Sequence, residues 1–482
     1  MSNSAAGGST IGPKKDGPDM SVTGNLADVA LRIKYEELPE EAVKHAKRVF
    51  IDSLACILGG FHSPTGIACR QAAHDMGGPP EATLIGETTR VSARSAVIAN
   101  QGMLRFLDYN DDIEIAVGEG DVVSAHPSGS LPVAMAVAEM TDASGKQFLE
   151  SMIAGYEVIG RMLESFKTSL EVRGFHHAAI LAYAGAAMAG RLLGLTHEQL
   201  VHAMGIGGSV SLSLGILDAE GEEYVMTKNI VDGMSAERGL VAAMLARRGL
   251  TGPERIIEGN KGFAQVVLGS QDKFALKQER NRPFVLETVT KYICAEATTH
   301  GHLTATQFIM SENKLKADDV DQVIIKTNKR TVFHTGDPIK KFPRNKESAD
   351  HSSYFLAAVT ILDGGVSPKS YRPEKYADPA VHAMIGRIQL LHDPQFDFKI
   401  GGAEVEIRTK AGASYRKRIW PEELKGSADK PMNDDDIYQK FLICTEGLMA
   451  PAQVDQIIET CNKLETLERF SDLIPLLVLN RA

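Results

Sequence analysis

The chain has 482 residues, more than one hydrophobic core usually supports, so two domains are expected, each large enough to bury a site. A formal net charge of −10 and an aromatic content of 6% exclude the basic, aromatic surfaces that bind nucleic acid. The hydrophobic content of 43% is ordinary for a globular protein, and no apolar run is long enough to span a membrane.

The cysteines are spread along the sequence without a Cys-x-x-Cys pair. This spacing suggests neither a disulfide framework nor a zinc or iron–sulfur site of the aconitase type. We therefore expect a cytoplasmic protein in a reducing compartment, with no bound metal. The cysteines are Cys56, Cys69, Cys294, Cys444 and Cys461.

The sequence also contains no clear motif for binding an organic cofactor. Residues 204–209 (MGIGGS) superficially resemble a dinucleotide-binding loop, but they lack the third glycine and follow a helical pattern instead of a strand. No P-loop, G-x-S-x-G or kinase signature is present. We expect an enzyme that needs no cofactor.

The N-terminal segment, residues 1–22, is rich in small and polar residues and contains no apolar signal region, so we expect a disordered leader. Helical periodicity follows. Pro39 can open a long amphipathic helix whose apolar stripe runs from Val43 to Ile57. The pair Gly59–Gly60 is expected to end that helix.

Further helical patterns fill the first half of the chain and predict a large helical domain over residues 23–279. Many of these segments are rich in Ala, Gly and Met, which lets helices approach closely and become buried on all sides. Thr196, with Gln199 three residues later, has the capping-box form of a helix start. Other predicted helices are Leu131–Glu139, Gly145–Glu164, Ala178–Leu193 and Ser235–Leu245.

The pattern changes near residue 280, where short alternating segments replace long helices. Residues 280–420 are therefore expected to form a smaller, lid-like α+β domain. Its predicted elements are strands at Val320–Thr327 and Arg387–Leu391, a helix at Ala349–Leu362, and a hairpin of Glu404–Lys410 with Tyr415–Ile419.

A helical pattern returns in residues 421–482, at Asp434–Leu448 and Ala452–Leu467. These helices are expected to pack on the first helical segment, so that both chain ends build one helical domain. The sequence shows no internal repeat of the length typical of solenoid proteins. The expected fold class is mainly α with an inserted α+β domain.

The densest cluster of polar residues is Leu107–Asp112 (LDYNDD), from which a Gly-rich acidic stretch leads to His126 and Ser128 before an apolar helix. Such a loop can direct a carboxylate and an imidazole into a cleft while helices hold its ends. The alternative is a solvated acidic loop in which Asp112 and Ser128 only cap turns and helices. Spacing alone leaves both interpretations open.

Two other segments offer groups for proton transfer and anion binding. His176 and His177 precede a helix, whose N-terminus attracts anions, and an imidazole transfers protons near neutral pH. Lys228 and Lys291 each offer a point charge for a carboxylate. The alternatives are a structural imidazole and a solvated lysine, and adjacent histidines are poorly placed to share a metal.

These segments resemble the MmgE/PrpD family, which includes methylcitrate dehydratases, cis-aconitate decarboxylases and iminodisuccinate epimerases. The resemblance covers nearly the whole chain after the leader and rests on the order and spacing of short motifs. The matching segments are Leu107–Asp111, His126–Ser128, Gly155–Glu157, Gly194–Thr196, Leu250–Pro253, Glu258–Phe263 and Ser348–His351.

The resemblance implies a helical domain, an inserted α+β domain, a cleft between them and a homodimer. It also assigns roles to residues. The catalytic residues that it implies are Asp108, His126 and His176. The substrate-binding residues that it implies are Asp112, Lys228, Lys291 and His351.

Two features depart from the family pattern. Asp112 stands where many members have Thr, and the acidic insert Glu119–Asp121 lengthens the approach to His126. An additional carboxylate would repel a triply anionic substrate. An amino-linked dicarboxylate is therefore an alternative substrate.

The expected function is a metal-independent lyase acting on a small di- or tricarboxylic acid, with dehydration of a 2-methylcitrate-like hydroxy acid as the first expectation. Alternatives are a cis-aconitate-type decarboxylase, an epimerase of a dicarboxylate such as iminodisuccinate and, as the least favoured, a non-catalytic helical binding protein. The expected partners are the polycarboxylate substrate and a second copy of the chain, without nucleic acid or membrane.

The expected mechanism needs fixed cations and two proton-transfer groups. Lys228 and Lys291 would bind the substrate carboxylates. Asp108 would polarise His126 and favour its charged form, because an opposite charge stabilises an imidazolium. His176 would face His126 across the cleft as the second proton-transfer group.

Overall fold

The computed structural model describes residues 21–117, 121–277 and 280–479, and the described chain is predominantly helical with a small α+β part, which confirms the predicted fold class. Ser21 caps the first helix, and residues 1–20 of the expected leader lie outside the described ranges. The first helices are α1 (Val22–Arg32), α2 (Glu40–Gly59), α3 (Pro64–Met76), α4 (Ala93–Phe106), α5 (Leu131–Met140), α6 (Gly145–Ser165), α7 (Leu181–Leu192), α8 (His197–Val210) and α9 (Val231–Arg247). The later helices are α10 (His300–Glu312), α11 (Lys329–His334), α12 (Lys346–Ala349), α13 (Ser353–Asp363), α14 (Pro373–Tyr376), α15 (Pro379–Ile385), α16 (Asp434–Cys444) and α17 (Pro451–Asn462).

Local sequence signals explain where several helices begin and end. α2 follows Pro39 and ends at Gly59, and its apolar stripe is buried, as the periodicity predicts. α8 begins with the predicted capping box, in which the Thr196 side chain accepts from the Gln199 backbone N–H and the Gln199 side chain accepts from the Thr196 N–H. These starts depend only on neighbouring residues.

Helix α7 lies at the centre of the helical body, where every residue from Leu181 to Gly190 is buried. Small residues make this burial possible. A Cβ added at Gly185 would lie 2.3 Å from the backbone oxygen of Ala236 in α9, so the two helix backbones are in direct contact. This packing holds the start of α9 against α7.

Two helices begin at other residues than predicted. The helix predicted from Ala178 is preceded by a 3₁₀ turn, His177–Ile180, and α7 begins only at Leu181, because the His176 side chain caps the turn by accepting from the Ala178 N–H. α9 begins at Val231, ahead of the predicted start at Ser235.

The α+β part contains a four-stranded sheet in the order β6-β5-β7-β8, with β5 parallel to β6 and the other neighbours antiparallel. The predicted strands and the predicted hairpin are confirmed. Helix α10 packs on β7 and β8, and α13 packs on α10. The strands of this sheet are β5 (Val320–Thr327), β6 (Ile388–His392), β7 (Ala403–Thr409) and β8 (Ser414–Ile419).

Two further sequence expectations differ from the structure. The helix predicted at Ala349–Leu362 is interrupted, because Ser352 caps a new helix by accepting from the Phe355 N–H, and the interruption leaves His351 buried between α12 and α13. The acidic stretch before His126, expected as a loop, contains two paired antiparallel strands, and residues 118–120 between them lie outside the described ranges. The strands outside the large sheet are β1 (Ala82–Thr83), β2 (Arg90–Val91), β3 (Ile113–Val117) and β4 (Asp121–Ala125).

The C-terminal helices α16 and α17 pack on α2, so the two ends of the chain share one helical body. A buried ion pair joins them, with the Lys440 Nζ of α16 at 2.5 Å from the Asp52 Oδ1 of α2. The domain limits at residues 279 and 420 stay predictions. Within the described residues, every helix is too short or too polar to cross a membrane.

Candidate active site

A cavity of about 30 Å³ lies where the end of α4 and the β3–β4 hairpin meet α11 and the α12–α13 connection. Its volume holds about one water molecule, so a substrate enters only if the walls move apart. A wider groove beside Phe61 encloses about 840 Å³, but its Arg70 and His74 already contact Glu87. The lining residues of the small cavity are Arg105, Asp108, Asp112, Ser124, His126, Glu171, His177, Asp218, Lys228, Lys291, Glu296, Ala297, Arg330, His334 and His351.

Asp108 occupies a turn just after α4, with φ of 49°, a conformation that Asp tolerates better than most residues. Its carboxylate accepts hydrogen bonds from Arg105 and from the Lys291 Nζ, the latter at 3.0 Å. Although burial opposes ionisation, Lys291 and then Arg105 hold the pKa of Asp108 well below its usual value. Asp108 therefore remains charged and fixes two cations at the cavity wall.

His126, at the end of β4, is held at both ring nitrogens. Its Nδ1 lies 2.7 Å from the Asp111 carbonyl oxygen and so carries the proton, and its Nε2, 2.9 Å from Arg105, accepts a hydrogen bond from the guanidinium. Burial, and then Arg105, lower the pKa of His126 well below its usual value. The ring is therefore neutral, contrary to the expectation of a charged form, because the Asp108 carboxylate faces Arg105 and Lys291 instead.

His176 and His177 occupy different places. His177 lines the cavity, and its ring contacts the edge of the His126 ring at 5.1 Å. His176 lies behind it, with ring centroids 4.0 Å apart, its Nε2 at 2.7 Å from Asp218 and its Nδ1 accepting from the Ala178 N–H. The structure brings His177, and not His176, to the cavity wall.

The two lysines named from the sequence both reach the cavity, and both carry a carboxylate partner. Lys228, just before α9, donates to Asp218 at 2.6 Å, and Lys291 donates to Asp108. Asp218 is also bonded to His176, and these partners hold the pKa of Asp218 well below its usual value despite its burial. Asp218, which belongs to none of the matched sequence motifs, therefore holds the Lys228 ammonium in position.

The α+β part supplies the opposite wall. His351 lines the cavity from the α12–α13 connection, and its Nδ1 lies 2.6 Å from the Asp350 Oδ1. Arg330 and His334 project from α11, with the Arg330 guanidinium hydrogen-bonded to Glu171 of the helical body at 3.1 Å and 3.2 Å. The cavity thus lies between the two parts of the chain.

Asp112 is the one acid in this wall whose Oδ1 has no hydrogen-bond partner within the described residues. The neighbouring Asp111 has a structural role, because its carboxylate accepts from the Tyr156 hydroxyl and the Ser128 N–H. Burial first, and then Glu114, raise the pKa of Asp112 well above its usual value.

Both halves of the chain match models of one family. The MmgE/PrpD N-terminal domain matches residues 24–275, and the MmgE/PrpD C-terminal domain matches residues 293–464. The chain belongs to the MmgE/PrpD family. The resemblance of the short motifs is thereby confirmed over most of the sequence.

Several relatives of this MmgE/PrpD chain are similar to it over most of their length. Cis-aconitate decarboxylase of Homo sapiens is 25% identical, covering 95% of this chain and 94% of its own. Cis-aconitate decarboxylase-like protein oryM of Aspergillus oryzae is 23% identical, covering 95% and 98%. 2-Methylcitrate dehydratase of Escherichia coli (strain K12) is 25% identical, covering 76% of each chain.

Among its described residues, this MmgE/PrpD protein has two groups of side chains that could donate to a metal. Within each group, the donor atoms all lie within 4.8 Å of one another. Asp108, Asp350 and His351 form one group, and His176, His177 and Asp232 form the other. Fixed cations adjoin both groups. Lys291 contacts Asp108, and the Arg105 Nε lies 3.6 Å from Asp232. A divalent ion would face these positive charges, so the donor sets fit a metal poorly.

Sequence reasoning missed several residues of the site. Arg105 lies three residues before Asp108, one helical turn away, and that spacing could have indicated an ion pair. Asp218, Arg330 and His334 had no signal, because each comes from a segment whose local pattern is ordinary. Chain folding alone brings them to the cavity.

Proposed function

We propose that this protein is a lyase acting on a small polycarboxylic acid, and that its first activity is the dehydration of a 2-methylcitrate-like hydroxy acid. The observation that carries the proposal is the neutral His126 imidazole beside a cavity lined by Arg105, Lys228, Lys291 and Arg330. A neutral base can remove a proton, and fixed cations stabilise the negative charge that then develops beside a carboxylate.

In this proposal Lys228 and Lys291 bind substrate carboxylates, and Asp218 and Asp108 keep the two ammonium groups in place. His126 takes the proton from the carbon next to a carboxylate. The Arg105 guanidinium then has to leave the imidazole lone pair and contact the substrate instead, which couples substrate binding to release of the base.

His176 has a positional role in this proposal. Both of its ring nitrogens are engaged, and it contacts Asp218 and the ring of His177. By holding Asp218, it sets the position of the Lys228 ammonium. His351, on the opposite wall, is the substrate contact proposed from the α+β part.

A cis-aconitate-type decarboxylase is the second candidate. Support comes from relatives of that name in Homo sapiens and Mus musculus, each of which matches 95% of this chain. Loss of carbon dioxide also places negative charge next to a carboxylate, so the same cations would serve. Epimerisation, in which the proton returns to the opposite face of the carbon, is the third.

The test is an NMR assay of the purified full-length protein in D₂O, with and without EDTA. The substrates are 2-methylcitrate, citrate, cis-aconitate and iminodisuccinate. Alkene formation from a hydroxy acid that survives EDTA is the expected result. Loss of a carboxylate would establish the decarboxylase, deuterium uptake with unchanged connectivity the epimerase, and no change in any acid would contradict the proposed function.

A homodimer is also part of the proposal. Four apolar side chains are exposed in the segment that leads to Asp218: Val210, Leu212, Leu214 and Ile216, with Leu214 at 67%. Pairing of two copies would cover them. Light scattering should give twice the chain mass, and Leu214→Glu should halve it, whereas Met76→Glu, at a 58% exposed position on α3, should not.

A further inference from the structure

The backbone of Asp112 is held on both sides, whereas one oxygen of its carboxyl group has no hydrogen-bond partner within the described residues. Its backbone N–H donates to the Val289 carbonyl at 2.9 Å, and its own carbonyl accepts from the Val289 N–H at 2.7 Å. The residue is 4% exposed, lines the cavity, and has an Oδ1 without a hydrogen-bond partner within the described residues. A buried polar atom of this kind requires an explanation.

Burial first, and then the neighbouring carboxyl groups, favour the neutral form of the Asp112 side chain. Glu114 and Asp111 lie close to Asp112 in the chain, and each raises its pKa, while burial raises the pKa of Glu114 itself to about 7. The cations that lower the Asp112 pKa, Lys291 and Arg105, already contact Asp108. Burial and Glu114 together raise the pKa of Asp112 well above its usual value, which favours the carboxylic acid form with one O–H to donate.

Its position relative to the base supplies the second observation. The Asp112 Oδ1 lies 3.9 Å from the His126 Nδ1. Their surroundings shift the two pKa values in opposite directions, upward for the acid and downward for the imidazole. A neutral acid beside a neutral base is the arrangement that proton transfer at both ends of one substrate requires.

We propose that Asp112 is the proton donor of this site and delivers its proton to the oxygen that leaves the substrate. The inference rests on the proposed function and adds a catalytic role to a residue first expected only to bind substrate. It also removes the expected repulsion of a trianion, because a protonated carboxyl group carries no negative charge.

In the proposed step, one proton leaves the substrate and another is delivered to it. His126 accepts the proton of the C–H bond, and the electron pair of that bond forms the carbon–carbon double bond. The C–O bond breaks, its oxygen keeps the pair and takes the Asp112 proton, and water leaves. The step leaves an imidazolium and a carboxylate. Loss of the Nε2 proton from His126 to solvent and uptake of one proton by Asp112 restore both groups, with the proton on His126 Nδ1 kept in its bond to the Asp111 carbonyl.

The test compares Asp112→Asn and Asp112→Thr with the wild type. Both variants keep a hydrogen-bond donor but lack an acidic proton, so kcat should fall by about 10² to 10⁴-fold while KM changes little. A substrate analogue with chloride in place of the hydroxyl should restore much of the rate, because chloride leaves without a proton. The alkaline limb of the wild-type rate profile should disappear in both variants.

The control is Glu139→Gln. Glu139 is another buried carboxyl group with a raised pKa, but it lies outside the cavity and is bonded to Thr83, so its replacement should leave the rate unchanged. Near-normal kcat in Asp112→Asn, or a loss confined to KM, would overturn the proposal. Far-ultraviolet circular dichroism verifies that each variant is folded.

Failure of the proposed function can be told apart from failure of this inference. If the wild type converts none of the four acids, the function fails, and infrared spectroscopy then decides about Asp112. A protonated-carboxyl band that is lost in Asp112→Asn, kept in the Glu139→Gln control, and shifted by the inert acid tricarballylate supports the donor. Absence of that band, or no shift on binding, overturns it.

Discussion

At the level of single residues, the charged side chains of the cavity hold one another in place before any substrate binds. Lys291 and Arg105 share the Asp108 carboxylate, and Lys228 contacts Asp218. The desolvation cost of a buried pair offsets most of its Coulombic attraction, so these contacts fix side-chain positions more than they stabilise the fold. Under the proposed function, a substrate carboxylate would therefore meet ammonium groups whose geometry is already set.

The first prediction concerns His126. Replacement by Gln should lower kcat by about 10² to 10⁴-fold with little change in KM, because the residue acts on a proton and not on a substrate charge. Steady-state kinetics with the substrate identified by NMR provide the measurement. Turnover close to that of the wild type, in a folded variant, would exclude His126 as the base.

The pH dependence follows from the same residue. Protonation of the base stops the reaction, and burial together with Arg105 holds the pKa of His126 well below 6.5, its ordinary value. The wild-type kcat/KM should therefore stay level as the pH falls through 6.5 and decline only at lower pH. An acidic limb centred near 6.5 would contradict the neutral, buried imidazole.

The second prediction concerns the Lys228 ammonium. Replacing Lys228 by Met should raise KM by about 10- to 100-fold, because a charge-assisted hydrogen bond is worth about 1.5–3 kcal/mol. A matched control is Lys399→Met, since Lys399 forms a half-exposed pair with Asp429 away from the cavity, and such pairs contribute little. An unchanged KM in Lys228→Met would exclude this lysine as a carboxylate contact.

At the level of the elements, the cavity depends on breaks in regular structure. Asp108 stands in a left-handed turn at the end of α4, and His351 stands in the interruption between α12 and α13. Continuous helices would direct both side chains along a helix face. The breaks direct them into the space between the two parts of the chain.

Close packing of α10 provides the third prediction. A Cβ at Gly301 would lie 1.8 Å from the Gly401 backbone oxygen, just before β7, so Gly301→Ala should force α10 from the sheet and cost about 1–3 kcal/mol. Gly365→Ala is the control, because its nearest neighbour, Gln307, is 3.4 Å away. Equal melting temperatures for the two variants would refute the tight contact.

At the level of the whole molecule, one lysine connects the chain ends to the cavity. The buried Lys440 of α16 pairs with Asp52 of α2 and also donates to the Tyr109 carbonyl at 2.6 Å and the Lys291 carbonyl at 2.7 Å. The last two bonds hold backbone segments that carry Asp108 and Lys291. The C-terminal helices thereby support the site although they do not line it.

The fourth prediction separates the role of Lys440 in stability, through Asp52, from its role in positioning the site, through the Tyr109 and Lys291 carbonyls. Lys440→Met should destabilise the protein by about 3–5 kcal/mol, because Asp52 is left buried without a counter-ion. The double variant Lys440→Met/Asp52→Leu should regain most of the stability in thermal melts but not the turnover, since both carbonyl bonds remain lost. Recovery of stability and turnover together would show that the bonds to Tyr109 and Lys291 do not position the site.

Parts of this architecture follow from the sequence because they depend on neighbouring residues. The capping box of Thr196 and Gln199 and the alternation of β7 and β8 are local signals, and both are confirmed. The β3–β4 hairpin was not anticipated, because its acidic residues favoured a solvated loop. Its burial depends on packing against α6, which is not local.

For the candidate site, the sequence by itself determined the chemical identity of the groups: Asp108, Asp112, His126, Lys228, Lys291 and His351 all reach the cavity. Only the tertiary structure decided that His177 rather than His176 faces it, and that Asp218 holds Lys228. The charge states were also decided there. A pKa depends on burial and on distances between groups from separate segments, and neither quantity can be derived from the sequence without the tertiary structure.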